Sequence, residues 1–313
     1  MIRAVVFLAL VVIPFHLLCN SKAVLALSRQ KRHSQHPSEI TVTLKLEWNA
    51  TIVGKSIPAG FTTKVTNGTV LIDVLNKAAD AGNQGPFSKY DTTYYKGLGY
   101  AITAMNGIKQ DHGTATYWAI IDGKTGGGIP CGISSYVPAS NSITVFRFTQ
   151  TFGHSGPVSG YCKTAAPSSN QITSPITVTI GLHWDISSIG KPIPAPYTTQ
   201  VTAGTVLVEI LNKAAEEDSN SPFNRYESTY HAGLGRSITA VNGVQQDPET
   251  NTYWMIYDNK TGKYTLLGVD QYKPADDSVT VFRLESQNSA HKYLGIGALT
   301  LSALVATELL LVW

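Results

Sequence analysis

The chain has 313 residues and a formal net charge of +3 at pH 7. The positive charge is concentrated at the amino end, because residues 33–288 carry 18 basic and 20 acidic residues, a net charge of −2. This central region therefore gives no basis for a nucleic-acid or polyanion partner.

Residues 1–26 are predicted to be a secretory signal peptide. Arg3 supplies the positive start, Ala4–Leu18 is an almost unbroken apolar run, and small residues follow where a signal peptidase could cut. The run is too short for a membrane span, which needs about 20 apolar residues. We therefore expect the protein to enter the secretory pathway.

Residues 27–32 form a short basic leader that ends in Arg29-Gln30-Lys31-Arg32. This pattern is typical of sites cut by furin-like processing proteases, so Arg32 is predicted to be the processing residue and His33 the first residue of the mature chain. An exposed flexible leader that stays uncut is the alternative.

The central part of the chain is an internal repeat. Ile40 aligns with Ile176 and Phe148 with Leu284, a constant shift of 136 residues without a gap. We therefore predict two domains, at 33–149 and 176–285, each long enough for a core of its own. The Gly-, Ser-, Pro- and Thr-rich segment 150–175 has no repeated counterpart and is predicted to be a linker.

Each repeat is predicted to contain strands around one helix. The first strand shows apolar residues alternating with polar ones, and the helix shows an apolar stripe at helical spacing. In the first repeat the elements are Ile40–Trp48, Phe61–Val65, the helix over Val70–Ala78, Tyr100–Met105 before an Asn106-Gly107 turn, Tyr117–Ile121 and Ser142–Phe148. The expected fold is α+β, with two tandem β-grasp-like domains of order ββαβββ, one helix on a mixed sheet in each.

Cysteines and glycosylation sequons fit an extracellular protein. Cys131 and Cys162 remain once the signal peptide is removed, and we predict that they form a disulfide. Two free buried thiols are the alternative. Asn49, Asn67 and Asn259 each begin an N-glycosylation sequon.

Residues 286–313 are predicted to be a hydrophobic anchor signal. The last 20 residues are apolar except for Glu308, and no basic residue follows them. Asn288 and the two residues after it are small enough for attachment of a glycolipid (GPI) anchor, after which the tail is removed. The polar spacer is short for such a signal, so a single membrane span remains the alternative.

The repeats resemble the C-terminal domain of the cobalamin carriers transcobalamin and intrinsic factor. In the first repeat the residues that carry this resemblance are Thr69-Val70-Leu71, Leu75-Asn76-Lys77-Ala78, Ile102, Asn106-Gly107, Tyr117-Trp118, Gly132 and Tyr136. The corresponding residues recur in the second repeat, so the resemblance covers nearly all of both. It implies a soluble-ligand-binding β-grasp fold, with the loop after the Tyr-Trp pair near the ligand.

Carried over by position, that loop is 123–128 in the first repeat and 259–264 in the second. The resemblance implies a ligand site for cobalamin, or for another small hydrophobic or cyclic ligand, in each repeat. The implied contact residues are Tyr117, Trp118, Gly126, Gly127, Gly128, Tyr136, Tyr253, Trp254, Tyr264 and Tyr272. The sequon at Asn259 lies inside the second loop, where a glycan would obstruct a ligand.

The sequence favours a binding protein over an enzyme. No histidine recurs at the same position in both repeats, and no His/Cys cluster has metal-ligand spacing. We expect a cell-surface or extracellular protein without cofactor or metal, whose partner is a small ligand or an extracellular protein and whose tail contacts the membrane. A structural or adhesive extracellular-matrix protein without a small ligand is the alternative.

Overall fold

The computed structural model of the chain describes five stretches, residues 38–82, 85–150, 156–163, 174–218 and 220–286. The predicted signal peptide, the Arg32 processing site and the Asn288 anchor site lie outside these stretches. From Ile40 onward the described residues form one compact unit, and of the unit that precedes it only Ser38 and Glu39 are described. The fold is mixed α+β, rich in strands and poor in helix.

The first repeat contains β1 (Glu39–Glu47), α1 (Ala50–Val53), β2 (Phe61–Thr66), α2 (Leu71–Asp80), β3 (Lys89–Tyr95), β4 (Gly99–Met105), β5 (Ile108–Lys109), β6 (Tyr117–Asp122), β7 (Tyr136–Val137) and β8 (Ser142–Thr149). Strand β9 (Tyr161–Cys162) follows it. The second repeat contains β10 (Pro175–His183), α3 (Ile186–Ile189), β11 (Tyr197–Thr202), α4 (Leu207–Glu217), β12 (Arg225–His231), β13 (Gly235–Val241), β14 (Val244–Gln245), β15 (Thr252–Asp258), β16 (Lys263–Tyr264) and β17 (Ser278–Ser286).

Each repeat has a mixed sheet and a helix that buries one stripe. The sheet orders are β2-β1-β8-β6 and β11-β10-β17-β15-β16, with β1 parallel to β8 and β10 parallel to β17. Strand β1 alternates buried and partly exposed residues, as its sequence predicts. The helix stripes are equivalent in the two repeats and comprise Leu71, Val74, Leu75, Ala78 and Ala79 in α2, and Leu207, Ile210, Leu211, Ala214 and Ala215 in α4. No helix in the described stretches is long and apolar enough to cross a membrane.

A second sheet joins the two repeats. Its order is β14-β13-β12-β3-β4-β5, and β3 runs antiparallel to β12 with Thr92 opposite Ser228. These two residues occupy the same position in their repeats, so a pseudo-two-fold axis passes between them. One continuous cluster of buried residues runs through both repeats. The sequence did not indicate this pairing.

Other element predictions differ in detail from the structure. Asn106 and Gly107 do form a tight turn with φ of 52° and 70°, which suits a two-residue hairpin. The partner of β4 across this turn is the short β5, while the strand that begins at Tyr117 pairs with β8. Trp48 and Trp184 are buried, as their positions on the apolar face of the first strand predict.

Equivalent hydrogen bonds flank the pseudo-two-fold axis. Glu216 accepts from the Tyr94 hydroxyl and from the Gly97 amide, both at 2.8 Å. On the other side Asp80 accepts from the Tyr230 hydroxyl at 3.0 Å and from the Gly233 amide at 2.9 Å. A carboxylate in the last turn of each helix therefore binds the β3–β4 or β12–β13 hairpin of the other repeat.

Arg236 breaks this symmetry, because the equivalent residue in the first repeat is Tyr100. Its guanidinium donates to the hydroxyls of Thr92 at 2.7 Å, Ser228 at 3.1 Å and Tyr90 at 3.1 Å. It also lies 4.8 Å from the ring centroid of Tyr100. Burial raises the pKa of Tyr100 to about 12, against the opposing effect of the Arg236 charge.

Candidate functional site

The loop after the first Tyr-Trp strand is organised by Asp122, the last residue of β6. Its side chain is 1% exposed, and its Oδ1 accepts from the amides of Lys124 at 2.9 Å and Thr125 at 3.3 Å. Gly126 has a φ of 75°, a left-handed conformation that glycine adopts at little cost. A tight hairpin tip therefore replaces an open loop at residues 123–128.

Only the tyrosine of each Tyr-Trp pair reaches the surface. Trp118 and Trp254 are each 6% exposed, and their indole nitrogens donate to the backbone oxygens of Ile108 at 3.0 Å and Val244 at 3.2 Å. Adjacent strand residues face opposite sides of a sheet. The two tryptophans therefore belong to the core, which does not fit the ligand contact implied for them.

A short segment after the first repeat covers its loop. We call residues 156–163 the strap. Ser159 donates to the Asp122 carboxylate with its amide, at 2.5 Å, and with its hydroxyl. Burial alone would raise the pKa of Asp122, but these bonds and those from the hairpin tip hold that pKa below its usual range. The first loop therefore has a partner from its own chain.

Backbone pairing and a disulfide hold the rest of the strap. Strand β9, within the strap, pairs antiparallel with β7. The Gly160 amide donates to the Tyr136 hydroxyl at 3.2 Å, and the Lys163 amide donates to the Ser135 oxygen at 2.7 Å. Cys131 and Cys162 form the predicted disulfide. Tyr136 is 1% exposed, so a ligand on the surface would not reach it while the strap is in place.

The equivalent loop of the second repeat carries an aromatic and charged cluster. The Arg283 guanidinium lies 4.0 Å from the ring centroid of Tyr257, whose ring meets that of Tyr264 edge-on at 5.1 Å. The Tyr264 hydroxyl donates to Glu285 at 2.6 Å, and Arg283 pairs with the same carboxylate group at 3.4 Å. Burial, followed by the Glu285 carboxylate, raises the pKa of Tyr264 to about 12.

Shortly after Tyr264 along the chain, the second repeat exposes two leucines. Leu266 is 64% exposed and Leu267 is 49% exposed. Leu267 stands where the first repeat has the disulfide-bonded Cys131. Tyr272, the counterpart of Tyr136, is half-buried. Of the implied contact residues, Tyr264 and Tyr272 thus lie at an exposed loop that none of the described stretches covers.

The remaining predicted positions are placed as follows. The three sequon asparagines, Asn49, Asn67 and Asn259, are exposed. Gly126 lies at the open hairpin tip, and Gly127 is buried beneath the strap. Within the described stretches, no group of three or more His, Cys, Asp or Glu side chains is placed to hold a metal ion.

One family model matches part of the second repeat. Residues 204–286 are similar to the family described as "Domain of unknown function (DUF4430)", and the match covers less than half of the chain. No curated protein matches the chain.

Two solved structures are distantly similar. The first is haptocorrin in complex with Cbi, with 24% identity and a TM-score of 0.29, aligned over 36% of this chain and 25% of that one. The second is a protein from Ruminococcus gnavus ATCC 29149 with a provisional description as metal binding, with 16% identity and a TM-score of 0.24, over 36% of this chain and 97% of that one. The chain thus spans about a quarter of the length of haptocorrin. Both similarities are too distant to assign a fold or a ligand.

Proposed function

We propose that this protein is an extracellular, non-enzymatic binding protein with two tandem β-grasp-like domains, which binds cobalamin or a similar cyclic small ligand. Its secretory route and membrane anchoring follow from the predicted signal peptide and the hydrophobic tail. The disulfide and the exposed sequons support an oxidising, extracellular compartment.

The observation that carries the proposal is the cluster at the exposed loop 259–264 of the second repeat. Ligand sites for small molecules combine aromatic and aliphatic surface with a few polar groups. Tyr257, Tyr264 and Arg283 supply rings and a cation, and Leu266 and Leu267, which follow Tyr264 along the chain, supply exposed apolar surface. The sequence resemblance to the cobalamin carriers implies a ligand near the same loop.

The test is a spectral titration of the purified Asn259→Gln ectodomain with cobalamin, because a glycan at Asn259 would obstruct the second loop. We expect a shift of the corrin absorption and retention of the ligand on gel filtration at micromolar concentration. No shift and no retention would refute cobalamin as the ligand. The glycosylated wild type, titrated in parallel, shows whether a glycan obstructs the loop.

A matched pair of arginine variants locates the site. Arg283→Ala removes the cation from the cluster, and we expect about tenfold weaker binding, the effect of losing roughly 1.4 kcal/mol. Arg147 is the equivalent residue of the first repeat and pairs with Glu47 at 3.0 Å. Arg147→Ala should therefore leave the affinity unchanged, and equal effects of the two substitutions would contradict a site in the second repeat.

A structural or adhesive role in the extracellular matrix is the second candidate. The six-stranded sheet across the repeats favours it, because backbone hydrogen bonds join the two halves into one unit without a ligand. Capture of a defined extracellular protein by an ectodomain that binds no small ligand would support this role over the first.

A further inference from the structure

We propose that the strap is a built-in occupant of the ligand loop of the first repeat, so that within the described residues the open site is the one in the second repeat. The identity of the ligand at the open site rests on the proposed function. The position of the open site is inferred from the contacts of the strap and from the differences between the repeats.

The two repeats differ where the strap lies. In the first repeat a Cβ atom on Gly127 would come within 2.5 Å of the Pro157 oxygen and 2.8 Å of the Gly156 oxygen. Only glycine therefore allows the strap backbone to approach this closely. The second repeat has Lys263 at the equivalent position, and its side chain is exposed.

The disulfide position shows the same difference. Cys131 ties the strap to the first repeat, whereas Leu267 at the equivalent position extends into solvent. Gly128, beside the strap, is replaced by Tyr264, a member of the aromatic cluster. The first repeat has small side chains that admit a covering segment, and the second has large ones that form a surface.

Groups that the strap buries are more exposed in the second repeat. Asp122 and Tyr136 are each 1% exposed, while their counterparts Asp258 and Tyr272 are half-buried. The strap satisfies Asp122 with an amide and a hydroxyl, and it supplies a backbone donor to Tyr136. These are the kinds of contact that a polar ligand would make with the same loop.

Hydrogen exchange tests the strap without any ligand. In the wild-type ectodomain the amides of Ser159, Gly160 and Lys163 should be protected. A Cys131→Ser/Cys162→Ser variant that also carries Gly160→Ala should release them, because the added Cβ would meet the Val137 oxygen. We expect exchange about 100-fold faster or more in the strap, and unchanged exchange in β8.

Two variants control this experiment. Gly127→Ala, which would press on the strap from below, should release it while the disulfide is intact and provides an independent route if the triple variant fails to fold. Lys263→Ala at the equivalent position of the second repeat should leave strap exchange unchanged. Strap amides that stay protected in both releasing variants would overturn the proposal.

Ligand stoichiometry tests the occupancy. With Asn259→Gln in every form, so that no glycan obstructs the second loop, we expect one cobalamin per chain with the strap in place and two per strap-released chain. Two per chain with the strap in place, or one after strap release is shown by exchange, would overturn the proposal. If no form binds cobalamin, the proposed function is refuted, and a synthetic peptide of residues 156–163 then tests whether the strap occupies the first loop. Binding of the peptide to the strap-released form alone supports this occupancy. Failure of the peptide to bind refutes it.

Discussion

Replacing Arg236 with methionine should leave the protein as stable as the wild type or make it more stable. The Arg236 side chain is 1% exposed, and its three hydrogen-bond acceptors are hydroxyls. The charges of Asp73 and Asp270 act on Arg236, but the ion pairs of the described residues do not include its guanidinium. Desolvation of a buried charge without a directly paired carboxylate is costly, and apolar replacement of buried ionic groups is often neutral or stabilising by about 1–4 kcal/mol.

The hydroxyl groups left behind keep other partners. Tyr90 still donates to Asn76, and the hydroxyls of Thr92 and Ser228 still bond each other at 3.0 Å. The substitution therefore avoids the penalty of about 1–3 kcal/mol for a buried polar group without a partner. Methionine also fills most of the volume and makes favourable sulfur contacts with the surrounding rings.

Arg236→Ala separates packing from charge. It removes the same charge as Arg236→Met but leaves a cavity between the repeats, so we expect it to be about 2–5 kcal/mol less stable than the methionine variant. The difference in unfolding free energy between the alanine and methionine variants measures the contribution of packing. The difference between the methionine variant and the wild type measures the contribution of the charge.

The assay is equilibrium unfolding of the ectodomain in urea at pH 7, followed by circular dichroism and by tryptophan fluorescence. Coincident transitions would justify a single free energy of unfolding for each variant. A methionine variant that loses more than about 3 kcal/mol would refute the reasoning, because the charge with its ring contacts would then be a net source of stability.

Three further predictions concern the interface and the backbone. The free energy of unfolding should fall above pH 10, because burial raises the pKa of Tyr100 to about 12 in the folded state. The stability that Tyr100 contributes is complete below pH 10, and about 2–3 kcal/mol of it is lost by pH 12. Urea unfolding across this pH range measures the loss, and a flat profile would contradict the prediction. Asp80→Ala and Glu216→Ala should each lower the free energy of unfolding by about 1–3 kcal/mol in the same assay, because each removes an acceptor for a hydroxyl and an amide of the other repeat. A loss of stability at only one site would show that the two contacts are not equivalent. Gly132→Ala should lower the melting temperature more than Gly181→Ala, because the added Cβ would lie 2.6 Å from the Tyr100 oxygen at Gly132 but 3.6 Å from the nearest atom at Gly181. Equal shifts would refute the steric argument.

Features that depend on local sequence could be predicted. The alternation in β1, the stripe of α2 and the turn at Asn106-Gly107 arise from neighbouring residues, and all three are present in the structure. The Cys131–Cys162 pairing could be inferred because two cysteines allow one intramolecular disulfide.

Features that depend on distant partners could not be predicted. Strand β3, with sequence KYDTTYY, is mostly polar and aromatic and lacks alternation, because it pairs with the other repeat and is covered on both faces. The alternation of strand residues predicts one buried ring in each Tyr-Trp pair but not which one, and the hydrogen bond from Trp118 to Ile108 places the indole in the core. The strap lies in a linker whose composition predicts only a flexible connection.

The strand pair at the pseudo-two-fold axis is self-complementary, since each repeat offers the other the same edge in the same register. Such an isologous contact would also form between separate copies of one half. A half produced alone would expose that edge together with Tyr90 and Tyr94, and it would be driven to dimerise through them. Tandem duplication thus turns an association that depends on concentration into a permanent one.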